Sequence, residues 1–281
     1  MEQTTDKQIT DNIQTMLAAG AASVQPVSSH GGIPFVAVPE GYEIHDLESL
    51  LPVPTRKRAE VTTTDADSFI HYTKKHGVTD TTTIFADIDA EISRFNLISV
   101  LNDHGTDASA SQWRDHRCKF QPVQAVEWKR WLSRNKQQFS QIEFAAWLEE
   151  NLSDIASMSG MPSGADILKM ALGFEANSDK RLRSKVNLQD GGVQFEFVDD
   201  ATQETRTTMQ AFERFTLGLP VFDGSTSAYP LEARLKYREK DGKLTFWYEI
   251  IRPDRVFKTA VIDELCRIKE ETGFPVVSGK P

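Results

Sequence analysis

The sequence has 281 residues, of which 39% are hydrophobic and 26% charged, which is ordinary for a globular protein that buries a substantial core. Its formal net charge of −9 disfavours nonspecific attraction to nucleic acids and anionic lipids. No apolar run approaches the roughly 20 residues that span a bilayer. No signal peptide is recognisable either, so we expect a soluble cytoplasmic protein whose two cysteines are reduced.

The first 54 residues predict a short helix followed by an extended arm. Apolar residues recur at helical spacing between residues 9 and 17, and residues 21–54 are rich in proline and glycine. Phe35 and Val36 within this arm are candidate oligomer contacts. Two interpretations are open: the arm packs on a neighbouring subunit, or it forms a surface strand on its own domain.

Residues 55–281 predict one α+β domain, which begins with strands. Apolar and polar residues alternate in three segments, and a nearly continuous apolar run at 96–102 is typical of a buried strand. A single helix interrupts them, capped near Asp65 and stopped by Gly77. The strands are predicted at residues 58–63, 83–91, 96–102 and 117–121.

The middle of the chain predicts a cluster of helices. Ser140 and Glu143 have the spacing of a capping box, and a clean apolar stripe follows them to residue 155. Shorter helices are predicted at residues 123–133 and 166–172.

The last hundred residues predict mostly strands. Two alternating segments, 231–237 and 244–250, flank an Asp-Gly turn, which is a strong hairpin signal. A final helix precedes Gly273. The order of elements indicates an α+β fold: antiparallel sheets, a central helical cluster, and a C-terminal β-hairpin followed by a helix.

Several motifs carry a family resemblance that extends roughly from Pro39 onward. They are Trp113-Arg-Asp-His116-Arg, the Trp128/Trp131 pair, Ser140-Gln-Ile-Glu-Phe-Ala, Ala233-Arg-Leu-Lys-Tyr-Arg, the segment 244–253 and the segment 273–279. Together they resemble the YfdQ-like family of phage and prophage proteins, a domain of unknown function. The resemblance implies a phage origin and a location in the cytoplasm of an infected or lysogenic bacterium. It transfers no catalytic residues, and it leaves the first 38 residues outside the family.

Two Asp-His pairs are the best candidates for chemistry. Asp103-His104 and Asp115-His116 flank one loop, and imidazoles with carboxylates can bind a divalent metal or form a general acid–base pair. Their spacing matches no established metal motif, and structural histidines are common at such positions. No metal or cofactor is therefore assigned.

Motifs for nucleophilic catalysis and nucleotide binding are missing from the sequence. It contains no Gly-x-Ser-x-Gly elbow, no phosphate-binding P-loop and no Gly-x-Gly-x-x-Gly fingerprint. The sequence therefore gives no motif that supports nucleophilic hydrolysis, nucleotide hydrolysis or dinucleotide binding.

One predicted helix combines basic and aromatic side chains. Its cations beside two tryptophans have the composition of a single-strand DNA-binding surface, although nearby glutamates dilute the charge. Tryptophans three residues apart on an amphipathic helix more often fill a core. The candidate nucleic-acid-binding residues are Lys129, Arg130, Arg134, Lys136, Trp128 and Trp131.

The C-terminal hairpin is apolar on both faces, because Trp247 and Ile251 oppose Phe246 and Tyr248. We expect one face of such a hairpin to pack on the core of its own domain, and the other face to be covered by the final helix or by another subunit. Trp247 and Ile251 are therefore candidate oligomer contacts.

We expect a phage-encoded, non-enzymatic accessory protein that acts as a homo-oligomeric assembly or binding module. Its expected partners are itself and a host or phage protein, with no membrane. A single-strand DNA-binding or recombination accessory protein is the first alternative, and a metal-dependent hydrolase is the second.

Overall fold

The computed structural model describes part of the chain, and two compact units divide it at Lys57/Arg58. The sequence places the boundary at residue 54. The first unit contains the helix α1 (residues 10–17) and a two-stranded antiparallel ribbon, β1 (Val27–Ser28) and β2 (Pro34–Phe35). The residues described are 8, 10–17, 20, 27–28, 34–35, 48–107, 110–173, 180–186, 193–199, 205–240 and 243–281.

The second unit carries the remaining strands and helices. In chain order they are β3 (Ala59–Thr63), α2 (Ala66–His76), β4 (Thr83–Asp89), β5 (Arg94–Val100), β6 (His116–Phe120), α3 (Val126–Ser133), β7 (Phe139–Ser140), α4 (Gln141–Glu150), α5 (Gly164–Gly173), β8 (Lys180–Val186), β9 (Val193–Asp199), β10 (Thr205–Ala211), β11 (Arg214–Leu219), β12 (Tyr229–Lys240), β13 (Lys243–Ile250), α6 (Pro253–Thr272) and β14 (Val276–Ser278).

A five-stranded mixed sheet forms the first part of this unit, in the order β14-β4-β5-β6-β3. Strands β4, β5 and β6 are antiparallel neighbours, whereas β3 pairs parallel to β6 and β14 pairs parallel to β4. Helices α2 and α6 pack against each other, and α2 also contacts β6. Alternate residues of β6 are buried beneath it: His116, Cys118 and Phe120.

Helix α2 begins and ends where local chemistry requires. The carboxylate of Asp65 accepts a hydrogen bond from the Ser68 amide at 2.7 Å, which satisfies one of the free N–H groups of the first turn. At the other end, a Cβ on Gly77 would lie 2.5 Å from the ring of Phe274, so this position has no room for a side chain. Both ends were predicted from the sequence.

A four-stranded antiparallel sheet, β11-β12-β13-β7, forms the second part. The predicted hairpin is present as β12 and β13, with Lys240 opposite Lys243. The predicted capping box is also present, since Ser140 and Glu143 exchange hydrogen bonds across the first turn of α4. The Ser140 backbone N–H, and to a smaller extent the Ser140 side chain, lower the pKa of the Glu143 carboxyl below its ordinary value.

Helices α3 and α4 cover this sheet with an aromatic core. Trp131 has its ring centroid 5.1 Å from that of Tyr248, and Phe144 stacks on Phe246 at 5.1 Å. The Tyr248 hydroxyl donates to the Trp131 carbonyl at 2.8 Å, so both polar and apolar contacts link α3 to β13. Strands β8, β9 and β10 form a separate antiparallel meander, described by its backbone alone.

The α+β class and the C-terminal hairpin followed by a helix are confirmed. The two parallel strand pairs at the sheet edges were not predicted, because they join segments far apart in sequence. Among the described helices, none is both long and apolar enough to cross a membrane.

Candidate binding loop at one end of the five-stranded sheet

Between β5 and β6 lies a loop whose described residues, 101–107 and 110–115, we call the Trp113 loop. Its two ends are fastened by side chains that flank β5 and β6. The Asn102 amide donates to Asp115 Oδ1 at 2.9 Å and accepts the His116 backbone N–H at 2.9 Å. Beside this pair, Arg114 Nε lies 2.9 Å from Asp103 Oδ1 as a partly buried ion pair. Two of the predicted Asp-His positions therefore act as structural fasteners.

Backbone hydrogen bonds hold the same loop. Leu101 N–H donates to the His116 carbonyl at 2.9 Å, and Asp103 N–H donates to the Thr81 carbonyl at 2.7 Å. Within the loop, Gly105 N–H donates to the Ala110 carbonyl at 3.0 Å. The loop is thus preorganised by contacts on both its flanks and its interior.

Arg114 occupies the left-handed region with φ of 56°. A non-glycine residue there is uncommon and costs energy that the surrounding contacts must offset. The ion pair to Asp103 and the placement of its guanidinium 5.6 Å from the Phe85 ring centre supply such contacts. The strained backbone sits immediately after Trp113.

Trp113 is 77% exposed. This is unusual, because burying a large apolar side chain away from water lowers the free energy of the folded protein. The other tryptophans differ sharply: Trp128 and Trp131 are fully buried, and Trp147 and Trp247 are half-buried.

Below the loop lies a cluster of three rings at the junction of α2 and β6. Tyr72 and His116 are hydrogen-bonded through the hydroxyl and Nε2 at 3.1 Å, and the His76 ring centre is 5.2 Å from that of His116. Burial, with a smaller contribution from Cys118, raises the pKa of the Tyr72 hydroxyl, and burial raises the pKa of the Cys118 thiol to about 11. Cys118 therefore remains a neutral thiol inside the sheet.

The two histidines of the predicted Asp/His site have different environments. His116 is buried against Tyr72, whereas His104 is exposed and its Nδ1 accepts the Gln112 backbone N–H at 3.1 Å. Asp103 is paired with Arg114. In the described ranges, no group of three or more His, Cys, Asp or Glu side chains is arranged to hold a metal ion.

The predicted nucleic-acid-binding residues differ in how much of each side chain is exposed. Lys129, Arg130 and Lys136 are exposed, and Arg130 donates to the Asn151 side chain at 2.8 Å. Arg134 instead lies over the Phe139 ring at 4.4 Å.

Trp128 and Trp131 present no indole face to solvent, because both point into the core. The Trp131 Nε1 donates to the buried Asp154 carboxylate at 2.8 Å. Neither indole therefore offers a face for base stacking, while Lys129, Arg130 and Lys136 are exposed.

The predicted oligomer contacts lie in both units. Trp247 and Ile251 are half-buried, and the Arg238 guanidinium lies 6.0 Å from the Trp247 ring centre. Phe35 lies in β2, but its side chain and the whole of Val36 fall outside the described residues.

Sequence reasoning did not single out Trp113 or Asn102 as functional residues. Trp113 served only as part of a family motif, although a tryptophan between polar residues in a predicted loop was a usable signal. Asn102 carried no such signal, since its role depends on the pairing of β5 with β6.

The chain is an α+β protein, because its strands group into sheets and do not alternate regularly with helices. It belongs to the family described as an uncharacterized conserved protein (DUF2303), whose model matches residues 7–281. This match begins at residue 7 and so includes most of the first 38 residues, which the sequence resemblance left out. Neither a curated protein nor a solved structure matches the chain.

Proposed function

We propose that this protein is a non-enzymatic accessory protein of phage or prophage biology that holds a protein partner on the Trp113 loop. The single observation that carries the proposal is the 77% exposure of Trp113 on a loop fastened at both ends. The phage context rests on the sequence resemblance to the YfdQ-like proteins.

Tryptophan is the side chain most enriched among residues that dominate binding energy at protein interfaces. An indole that is exposed in the free protein buries a large apolar area when a partner covers it. Hydrogen bonds and an ion pair already hold the described residues on both sides of Trp113, so these residues lose little conformational entropy on binding. These are the properties of an interface anchor.

The same observations weigh against the two alternatives. Single-strand DNA binding through α3 needs stacking surfaces, and Trp128 and Trp131 are buried. Metal-dependent hydrolysis through the Asp/His pairs needs convergent ligands, and Asp103 is committed to Arg114. The expected partners are another copy of the chain or a host or phage protein.

Affinity purification from the bacterial host tests the proposal with three baits: the wild type, Trp113→Ala and Ile142→Ala. Ile142 is the matched control, because it is an 81% exposed apolar residue on α4. We expect a protein that the wild type and Ile142→Ala retain in stoichiometric amount and Trp113→Ala does not.

Identical recovery by all three baits would overturn the proposal. A native mass spectrum of the purified protein supplies the second readout. Added mass equal to a metal ion or an oligonucleotide, retained in Trp113→Ala, would favour the corresponding alternative instead.

A further inference from the structure

Strand β3 lies at the edge of the five-stranded sheet, where β6 is its one neighbour within the described part of the chain. The Thr63 carbonyl accepts the Gln121 N–H at 2.9 Å, so the backbone groups of Thr63 point towards β6. Because successive residues of a strand point these groups to opposite sides, those of Glu60 and Thr62 point away from the sheet. Among the residues that the structure describes, no backbone hydrogen bond satisfies them beyond the sheet.

This open edge lacks features that normally prevent strands from pairing between molecules. Its five residues contain no proline and pair with β6 without a bulge, and Val61, Thr62 and Thr63 are β-branched. The one charged side chain in the strand, Glu60, forms an ion pair with Lys119. Helix α2 follows β3 but packs against β6 and α6, so it leads back over the sheet and not across this edge.

Antiparallel pairing of β3 with a second β3 has one register that uses the whole strand. Val61 is the midpoint of Ala59–Thr63, so a twofold axis at Val61 pairs all five residues of each copy. Glu60 then faces Thr62 of the second copy, and both residues have outward backbone groups that can form hydrogen bonds. Shifting the pair by two residues, with the axis at Glu60, would place two glutamates opposite each other, which is unfavourable.

The charges beyond the two ends of β3 select a second copy as the occupant of this edge. Three cations, at positions 56–58, precede the strand, and Asp65 and Asp67 follow it. Asp67 pairs with Arg267, whereas Asp65 is exposed and still extended in backbone conformation. Antiparallel pairing about Val61 brings the exposed Lys57 of each copy opposite Asp65 of the other, so the contact occurs twice.

We infer that β3 pairs antiparallel with β3 of a second copy of this chain, about a twofold axis at Val61. The two five-stranded sheets then form one continuous sheet. Such a contact uses the same surface on both copies, so it closes with a dimer and leaves no β3 edge open. It uses no residue of the Trp113 loop, and it therefore goes beyond the proposed function and does not depend on it.

The contact is small, because five residues from each copy bury less than a standard interface of about 1,600 Å². We expect a dissociation constant on the order of 10 μM, which places the monomer–dimer equilibrium within reach of sedimentation velocity.

Thr62→Pro tests the edge itself. Proline removes the outward N–H of residue 62 and none of the N–H groups that bond β6, so the fold is retained and the pairing is lost. Thr62→Ala is the matched control, because it removes the same side chain and keeps the N–H. Sedimentation velocity between about 1 and 100 μM should show dimers for the wild type and Thr62→Ala, and monomers for Thr62→Pro. Circular dichroism verifies that each variant is folded.

Lys57→Glu tests the choice of a second copy as the occupant. It lies outside the strand, and it places a carboxylate beside Asp65 at both ends of the contact. The dissociation constant should rise about tenfold, because two opposite-charge pairs become like-charge pairs. Lys258→Glu, the same change at an exposed lysine of α6, is the control and should leave the dimer unchanged.

Cysteine cross-linking tests the register. The variants Glu60→Cys and Thr62→Cys, each with Cys266→Ser to remove the exposed native thiol, are mixed in equal amounts and oxidised. A disulfide-linked pair should form, because hydrogen-bonded antiparallel neighbours have Cα atoms about 5.5 Å apart, within the span of a disulfide. Thr62→Cys alone should cross-link much less, since position 62 does not face itself in this register.

A wild type that stays monomeric at about 100 μM would refute the inference, and so would a Thr62→Pro variant that dimerises as tightly as the wild type. Should Thr62→Pro fail to fold, the other two experiments decide. An unchanged dissociation constant in Lys57→Glu together with no cross-link between positions 60 and 62 would exclude pairing through β3. A dimer that only Trp113→Ala dissociates would place the self-contact on the Trp113 loop instead.

Discussion

Two regions of the second unit place tryptophan in opposite environments. In the aromatic core beneath α3, Trp131 is fully buried, its Nε1 donates to Asp154 and its backbone carbonyl accepts from Tyr248. In the Trp113 loop, the tryptophan is exposed, and polar side chains fasten the ends of the loop, chiefly Asn102 and Asp115.

The comparison indicates that the side chains that stabilise the fold are not the ones that are exposed for recognition. In the core, the apolar side chains themselves hold the elements together, so they are unavailable to a partner. In the loop, hydrogen bonds and an ion pair fasten the ends, and most of the indole surface faces solvent. Substitutions in the two regions should therefore differ in their effect on stability, from a large loss in the core to almost none at the exposed indole.

Trp131→Ala should lower the free energy of unfolding by about 4 kcal/mol, the middle of the range for large-to-small aromatic substitutions in a core. It removes a fully buried indole and leaves the buried Asp154 carboxylate without its Nε1 donor. Urea denaturation followed by circular dichroism measures the change. A loss below about 1 kcal/mol would show that this core does not carry the stability assigned to it.

Asn102→Ala should cost about 1–3 kcal/mol, because it removes two hydrogen bonds and leaves the His116 amide without its side-chain acceptor. Amide hydrogen exchange should accelerate across residues 101–116 and not in α4. Thr106→Ala, an exposed change in the same loop, is the control. Unchanged exchange in the loop would remove Asn102 from its fastening role.

Asp65→Ala should cost about 1 kcal/mol at neutral pH, the usual loss of an N-cap, whereas Asp65→Asn should cost less because an amide oxygen also caps. The Ser68 amide bond holds the pKa of Asp65 below its ordinary value of 3.8. Its stabilising contribution is therefore complete above pH 3.8 and is lost as the pH falls through the lower folded-state pKa.

The acid limb of the stability curve measures this contribution. Thermal unfolding between neutral pH and strong acid should show a smaller acid-induced loss for Asp65→Asn than for the wild type. Identical curves in the two proteins would mean that the caps elsewhere in the chain dominate the acid response.

Trp113→Ala should change the free energy of unfolding by no more than about 0.5 kcal/mol, as expected for an exposed side chain. Replacing tryptophan by alanine should therefore cost much stability in the core and almost none in the loop. A loss of about 2 kcal/mol or more would indicate that the indole supports the loop, and its assignment as a binding anchor would then fail.

Local signals in the sequence were sufficient for most helices and for the hairpin. The Asp65 cap, the Ser140/Glu143 capping box and the Asp-Gly turn after Lys240 each depend on neighbours within a few residues. The prediction that α4 continues to residue 155 was wrong. The helix ends at Glu150, and a 3₁₀ turn follows at Leu152–Asp154, where Asp154 faces Trp131.

Features that depend on distant pairing were not predictable. The identity of the sheet that covers Trp128 and Trp131 depends on distant strands, and the fastening of the Trp113 loop follows from the register of β5 against β6. A periodic pattern identifies which residues share a face but not what covers that face. The exposed side of α3 and the exposed Trp113 were identified only once the covered faces were known.

Strand β14 has a consequence for how the protein folds. Val276 pairs with Ile84, so the five-stranded sheet joins segments that are 192 positions apart in the chain. Contacts of such long range raise the contact order and slow folding, because a long stretch of chain must be closed before they form. During synthesis, β4 emerges long before β14 and keeps an open edge until the rest of the domain follows. That edge is a site for mispairing between nascent chains, so the window before β14 docks is when this protein is most prone to aggregate.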